Sequence, residues 1–89
     1  MISHATDRFW KAFDALPLRV QRQAEKAYDQ WQQDPYHASL HFKCIQQAKS
    51  VYSVRIGIGY RALGRRHGDT LIWYWIGSHE AYNEMVKRL

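Results

Sequence analysis

Side chains suited to chemistry are concentrated between residues 51 and 82. They are guanidinium, imidazole and phenol groups, from Arg55, Arg61, Arg65, Arg66, His67, His79 and Tyr82. Arginine forks suit a charged phosphate group, and a histidine suits proton transfer near neutral pH. The candidate site is therefore sought in this stretch.

The same side chains also have purely structural interpretations. Arg55 and Arg61 fit the polar side of a half-exposed sheet. His79 fits a helix start whose ring bonds to backbone, and Tyr82 falls at an apolar helical position that suits a core as well as a catalytic role. Residue type alone leaves both interpretations open.

Net charge differs between the two halves of the chain. Residues 1–40 hold five basic and five acidic residues, whereas residues 41–89 hold eight basic and three acidic ones, which accounts for the net charge of +5. A basic surface on one part of a small domain favours a polyanion such as nucleic acid, or an acidic protein segment. A solvated basic surface without a partner is the alternative.

Composition limits what else the chain can be. Its 89 residues suit one small domain, spanning residues 1–89. Cys44 is the one cysteine, so we expect a packed thiol in a reducing compartment rather than a disulfide. No apolar run approaches the ~20 residues of a membrane-spanning helix, and residues 1–11 lack the apolar region of a signal peptide. We therefore expect a cytoplasmic protein without membrane association.

Metal-ligand patterns are weak. His37 and His41 are separated by three residues, which is half of a metal site, but no second Cys or His pair accompanies them. We predict no metal and no cofactor.

Apolar residues recur at helical spacing in the first third of the chain. A first helix, capped by Ser3 or Thr6, ends before Pro17. A second helix extends from there to Asp34 and is polar on its other side. The two predict a helical hairpin lying on a sheet. Its apolar positions are Phe9, Phe13, Leu16, Val20, Ala24, Ala27, Tyr28 and Trp31.

Alternating patterns then predict four strands, at residues 40–45, 52–56, 60–65 and 71–76. The first is expected at a sheet edge, and the last is apolar on both sides, which is typical of a central strand. Ser78 is a good N-cap for a short final helix. The predicted fold class is α+β: an N-terminal helical hairpin packed on a small, mainly antiparallel four-stranded sheet, with a short C-terminal helix.

One family shows this ordered combination of residues. The segments YSVRIG, IGYRAL and IGSHEAY, in that order after a helical hairpin, resemble the RelE/ParE superfamily of bacterial toxins of type II toxin-antitoxin systems. The likeness extends over nearly the whole chain and rests on Arg55, Gly57, Tyr60, Arg61, Gly77, His79 and Tyr82 together.

The resemblance implies roles for single residues. Arg55 and Arg61 match basic residues of the second and third strands that contact the scissile phosphate. His79 and Tyr82 match positions after the last strand and in the final helix. The implied catalytic residues are therefore Arg55, Arg61, His79 and Tyr82, and the implied nucleic-acid-binding residues are Lys43, Lys49, Arg65 and Arg66.

Two functions follow from the resemblance. In the RelE and HigB branches the toxin is a metal-independent endoribonuclease that cuts messenger RNA on the ribosome, with the RNA 2′-hydroxyl as nucleophile. The implied partners are then messenger RNA, the ribosome and a cognate antitoxin, and a homodimer or a hetero-oligomer with the antitoxin is possible. In the ParE branch the toxin inhibits DNA gyrase by protein–protein interaction and is not known for nuclease chemistry.

Overall fold

The amphipathic first third of the chain forms a strand and two helices. A computed structural model describes residues 1–89, beginning with β1 (Ile2–Ala5), α1 (Asp7–Asp14) and α2 (Leu18–Gln33). The hydroxyl of Thr6 caps α1 by accepting a hydrogen bond from the Phe9 N–H at 3.1 Å. The Gln21 side chain donates to three carbonyls at the end of α1 and the turn after it, which ties the two helices into the predicted hairpin.

The rest of the chain is an antiparallel meander followed by a helix. Its strands are β2 (Lys43–Gln46), β3 (Val51–Ile56), β4 (Tyr60–His67) and β5 (Thr70–Ser78). The last helix, α3 (His79–Lys87), is capped as predicted by Ser78, whose hydroxyl accepts from the Ala81 N–H at 3.2 Å. The α+β class is therefore confirmed.

The sheet has five strands, not the predicted four. Its order is β1-β5-β4-β3-β2, and β1 pairs with β5 in parallel. Ser3, one of the two predicted helix caps, lies in β1 instead. Four residues with a polar Ser3 and His4 give too short an alternation to read as a strand, and tertiary pairing with β5 decides their structure.

The segment before β2 also differs from the prediction. Residues 38–40 form a turn of 3₁₀ helix, and His41 has a left-handed backbone (φ 46°), so the strand begins at Lys43 rather than residue 40. Leu40 and Phe42 are buried in the core. The predicted edge position is confirmed for β2, and Cys44, predicted as a packed thiol, is exposed on it.

The sheet separates two different surfaces. One side, which we call the helix face, packs under the hairpin and forms the core. The other side, which we call the arginine face, carries Arg55, Arg61 and Arg65 and is partly covered by α3, which contacts β4 and β5. The buried residues that form the core cluster are Ala24, Trp31, Leu40, Phe42, Val54, Ile56, Ala62, Leu71, Trp73 and Ile76. None of the helices has the length and apolar character needed to span a membrane.

Candidate active site

Two arginines stand side by side on the arginine face. The antiparallel register of β3 and β4 places Arg55 directly opposite Arg61. Burial is the main cause that lowers the pKa of Arg61, the charge of Arg55 lowers it further, and interaction with Tyr82 partly offsets both. A lowered pKa means that the positive charge of Arg61 is disfavoured in the free protein, so an anion bound between the two guanidinium groups is favoured.

Backbone carbonyls orient both guanidinium groups. Arg55 donates from Nε to the Gly57 carbonyl at 2.9 Å, and Arg61 donates from Nη1 to the Tyr60 carbonyl at 2.8 Å. Neither forms an ion pair with a carboxylate; the one salt bridge of the molecule joins Lys87 and Glu84 on the surface of α3. The remaining donors of each fork are therefore available to a phosphate.

His79 and Tyr82 come to the same end of the arginine face through the start of α3. The His79 N–H donates to the Gly59 carbonyl at 2.8 Å, which fixes the helix start against the turn between β3 and β4. The His79 and Tyr82 rings stack with centroids 6.0 Å apart and planes 23° apart. Both side chains are half-buried, and α3 starts directly after Gly77 and Ser78, which pair with Arg61 and Tyr60 of β4. The structure thus brings all four predicted catalytic residues together.

Two of the four predicted nucleic-acid contacts, Lys43 and Arg65, lie on the same side of the sheet as the arginine pair, and Lys49 lies in the turn between β2 and β3. Lys43 is exposed on β2, on the same side of the sheet as Arg55. Arg65 is exposed on the side of β4 that also carries Arg61, and its Nε donates to the Lys49 carbonyl at 3.2 Å. Leu63, which is fully buried, lies between Arg61 and Arg65 on this side of β4, so Arg65 is a separate exposed cation rather than part of the arginine pair.

Arg66, the fourth, points to the helix face. Its guanidinium lies 5.5 Å from the centre of the Tyr52 ring and donates to the Tyr36 hydroxyl at 3.2 Å. The hydrogen bond to Tyr36 is the largest cause that raises the pKa of Arg66. The sheet therefore separates Arg66 from the cations of the arginine face.

A polar cleft beside Arg55 was not predicted. It has a volume of about 550 Å³ and lies between α2 and the turn after β3. Its polar lining consists of amide and charged side chains, from Gln23, Lys26, Asp29, Gln30, Gln33 and Arg55. The sequence signal for it is the polar side of the second helix, which contains these glutamines. Amide and guanidinium groups along one cleft suit hydrogen bonding to the bases and phosphates of an unpaired RNA strand.

A family model for the ParE-like toxin domain matches residues 18–84. The chain belongs to this toxin family. The match includes α2, the meander and the start of α3, and so contains every residue of the candidate site.

Solved structures show that this ParE-like domain shares the fold of other RelE/ParE toxins. The RelB–RelE antitoxin–toxin complex of Methanococcus jannaschii gives a TM-score of 0.71 at 18% identity, covering 91% of this chain and 95% of that one. YafQ of Escherichia coli gives 0.72 at 12% identity, covering 90% and 94%. The isolated RelE toxin of E. coli gives 0.65 at 19% identity, covering 98% and 96%. No curated protein sequence matches the chain.

Proposed function

We propose that this chain is the toxin of a type II toxin-antitoxin system and cleaves messenger RNA, on the ribosome, as a metal-independent endoribonuclease. The observation that carries the proposal is the opposed pair Arg55 and Arg61, unpaired with any acid and close to Tyr82 and the stacked His79. Two forks and a titratable ring at one end of a basic surface are what RNA cleavage by its own 2′-hydroxyl requires.

The proposed step uses groups of the RNA as nucleophile and leaving group. The 2′-oxygen attacks the adjacent phosphorus, the bond from phosphorus to the 5′-oxygen breaks, and the products are a 2′,3′-cyclic phosphate and a 5′-hydroxyl. The proton of the 2′-hydroxyl passes to water, and the imidazolium of His79 delivers a proton to the leaving 5′-oxygen. Arg55 and Arg61 stabilise the extra negative charge on phosphorus, which is worth roughly 10²–10³-fold in rate for one preorganised donor.

His79 and Tyr82 complete the site in this proposal. His79 transfers a proton, a role typically worth about 10²–10⁴-fold in rate. Tyr82 orients the sugar or stacks on a base, as its position against the His79 ring and beside Arg61 allows. Lys43, Lys49 and Arg65 bind the backbone of the RNA away from the cut.

A cognate antitoxin is the proposed partner in the cytoplasm. Structures with the same fold from M. jannaschii and Pyrococcus horikoshii are complexes of RelE with RelB. An acidic or amphipathic segment complements the basic arginine face and would cover the Arg55–Arg61 pair. The proposed resting state is a hetero-oligomer with that antitoxin.

Inhibition of DNA gyrase is the second candidate function. The observation that favours it is the family model, which describes a ParE-like toxin domain. In this function the basic arginine face binds a protein target, and the geometry of His79 and Tyr82 has no catalytic purpose.

Brief induction of the chain in cells, followed by primer extension on a reporter transcript, distinguishes the nuclease from the gyrase inhibitor. The nuclease predicts discrete breaks within translated codons, and the breaks disappear for His79→Ala but persist for the exposed neighbour variant Glu80→Ala. Intact message with DNA damage would instead support gyrase inhibition and overturn the nuclease proposal.

A further inference from the structure

The polar cleft beside Arg55 continues the candidate active site around the edge of the sheet. Pairing between β2 and β3 stops at Ser53, so Arg55 lies on a part of β3 whose outer edge no strand covers. Arg55 opposes Arg61 on the arginine face and also lines the cleft. A nucleotide joined to a phosphate at the arginine pair therefore lies at the mouth of the cleft.

The size of the cleft and its apolar lining suit one nucleobase. Its volume of about 550 Å³ lies within the roughly 300–1,000 Å³ of pockets that hold small organic ligands. Leu40, which is buried, and Ile58, which is 85% exposed in the turn between β3 and β4, both line it. Proteins that bind nucleic acids insert such apolar side chains between neighbouring bases. Ile58 thus offers a surface that keeps one base apart from the next.

The polar side chains that α2 contributes to the cleft have no partners within the protein. The glutamine side chains that bond internally are at other positions, and Gln23, Gln30 and Gln33 form no such hydrogen bond. The one salt bridge of the molecule lies on α3, so Lys26 and Asp29 have no ionic partner. Amide, ammonium and carboxylate groups therefore line one space and are available to a ligand with complementary donors and acceptors.

We infer that the cleft holds one unpaired nucleobase of the RNA, beside the phosphate at the arginine pair, and favours a base that carries an exocyclic amino group. The inference rests on the proposed function, because the arginine pair must hold that phosphate. A carboxylate only accepts hydrogen bonds and an ammonium only donates them, so Asp29 needs a donor on the base and Lys26 an acceptor. Adenine, cytosine and guanine each present an amino donor, whereas uracil presents a carbonyl oxygen in its place. Contact between that oxygen and Asp29 is repulsive.

Two oligonucleotides of equal charge test the inference on the full chain. Hexamers of 2′-O-methylcytidine and 2′-O-methyluridine lack the attacking hydroxyl, and their bases have the same shape but differ in the amino group. In fluorescence anisotropy titrations near neutral pH, we expect the cytidine hexamer to bind about two- to tenfold more tightly, the value of one hydrogen bond. In a nitrogen–proton correlation spectrum it should shift the side-chain amide signals of Gln30 and Gln33. The signals of Gln21, whose amide bonds within the protein, should stay unchanged.

Replacement of Asp29, which is exposed, identifies the group that selects the base. Asp29→Asn keeps the size of the side chain but adds a donor, so the affinities for the two hexamers should become equal. Glu25→Gln removes the same charge from an exposed position of the same helix, outside the cleft lining, and should retain the preference. Arg61→Gln should weaken both hexamers alike, which reports on the arginine pair independently of the cleft.

The outcomes separate the cleft from the proposed site. Equal affinities of the wild-type protein for the two hexamers, with both weakened by Arg61→Gln, would overturn the inference and leave the RNA site at the arginine pair intact. An unchanged preference in Asp29→Asn would also overturn it. If the wild-type protein binds neither hexamer, the inference fails together with the proposed RNA site.

Discussion

The opposed side chains of Arg55 and Arg61 lower the stability of the free protein. Like charges directly opposite on neighbouring strands are destabilising, and burial adds to the penalty at Arg61. A phosphate anion bound between the two guanidinium groups would offset both penalties. An arrangement that is unfavourable in the free protein and relieved by a ligand is typical of a binding site. It favours the functional interpretation of this pair over that of a solvated polar surface.

Neutralising one arginine should therefore stabilise the protein and inactivate it. We expect Arg61→Gln to raise the free energy of unfolding by up to about 1 kcal/mol, less at high salt, and to slow RNA cleavage by roughly 10²–10³-fold. Urea unfolding and cleavage rates at saturating ribosome concentration measure the two effects. Arg65→Gln, which removes an exposed cation of the same strand, is the control and should change neither by as much. If additional ribosomes alone restore the cleavage rate of Arg61→Gln, Arg61 contributes to substrate binding and not to the chemical step.

Replacement of His79 should affect activity without affecting the stability of the fold. It is half-buried at the first position of α3, and its structural bond comes from its backbone N–H, which alanine retains. We expect His79→Ala to abolish toxicity, with a loss of about 10²–10⁴-fold in cleavage, while the unfolding midpoint and antitoxin binding remain close to wild type. Growth assays and thermal unfolding of the same preparations test this; full growth arrest by the folded variant would remove His79 from the mechanism.

At the scale of elements, local patterns predicted the helices, the meander and the cap of α3. Pro17, Thr6 and Ser78 act through neighbours a few residues away, and this is why sequence reasoning found both helix boundaries and the start of α3. The missing element was β1, whose structure depends on pairing with β5, sixty-eight residues downstream of Ile2. One signal for it was present. The last predicted strand was apolar on both sides, yet the last strand of a four-stranded meander is an edge, so a central position required a further partner.

Glycine at position 77 leaves room for the Trp75 ring, two residues earlier in the same strand. A Cβ added there would lie 2.6 Å from the Trp75 ring, and Gly77 pairs directly with Arg61. We expect Gly77→Ala to displace Trp75 and to lower the free energy of unfolding by about 1–3 kcal/mol. The matched control is Gly59→Ala, because a Cβ at that position meets nothing within 4 Å. Urea unfolding compares the two, and equal midpoints would show that the Trp75 ring moves without cost.

At the scale of the whole molecule, the sheet divides the positive charge between two surfaces. Sequence alternation placed Arg61 and Arg65 on one side, and the structure agrees. The strand predicted at residues 60–65 leaves out Arg66, but β4 continues to His67, so Arg66 falls on the opposite side and contacts Tyr36 and Tyr52. The pairing of β4 with β5 continues to His67 and Thr70 and sets the length of β4. Local turn signals such as Gly68 and Asp69 do not determine where this pairing ends. Arg65 and Arg66, neighbours in sequence, thus lie on opposite sides of the sheet.

Arg65 and Arg66 therefore provide a test of which surface binds RNA. We expect Arg65→Gln to weaken binding of a single-stranded RNA and to reduce the slope of log affinity against log salt by about 0.7, the value of one phosphate contact. Arg66→Gln should leave that slope unchanged and instead lower the free energy of unfolding by about 0.5 kcal/mol, because it loses a cation–π contact at an exposed site. Fluorescence anisotropy with a 2′-O-methyl RNA, which lacks the attacking hydroxyl, measures affinity over a range of salt concentrations without cleavage. If Arg66→Gln reduces the slope as much as Arg65→Gln does, RNA also contacts the helix face, and the assignment of binding to the arginine face alone is wrong.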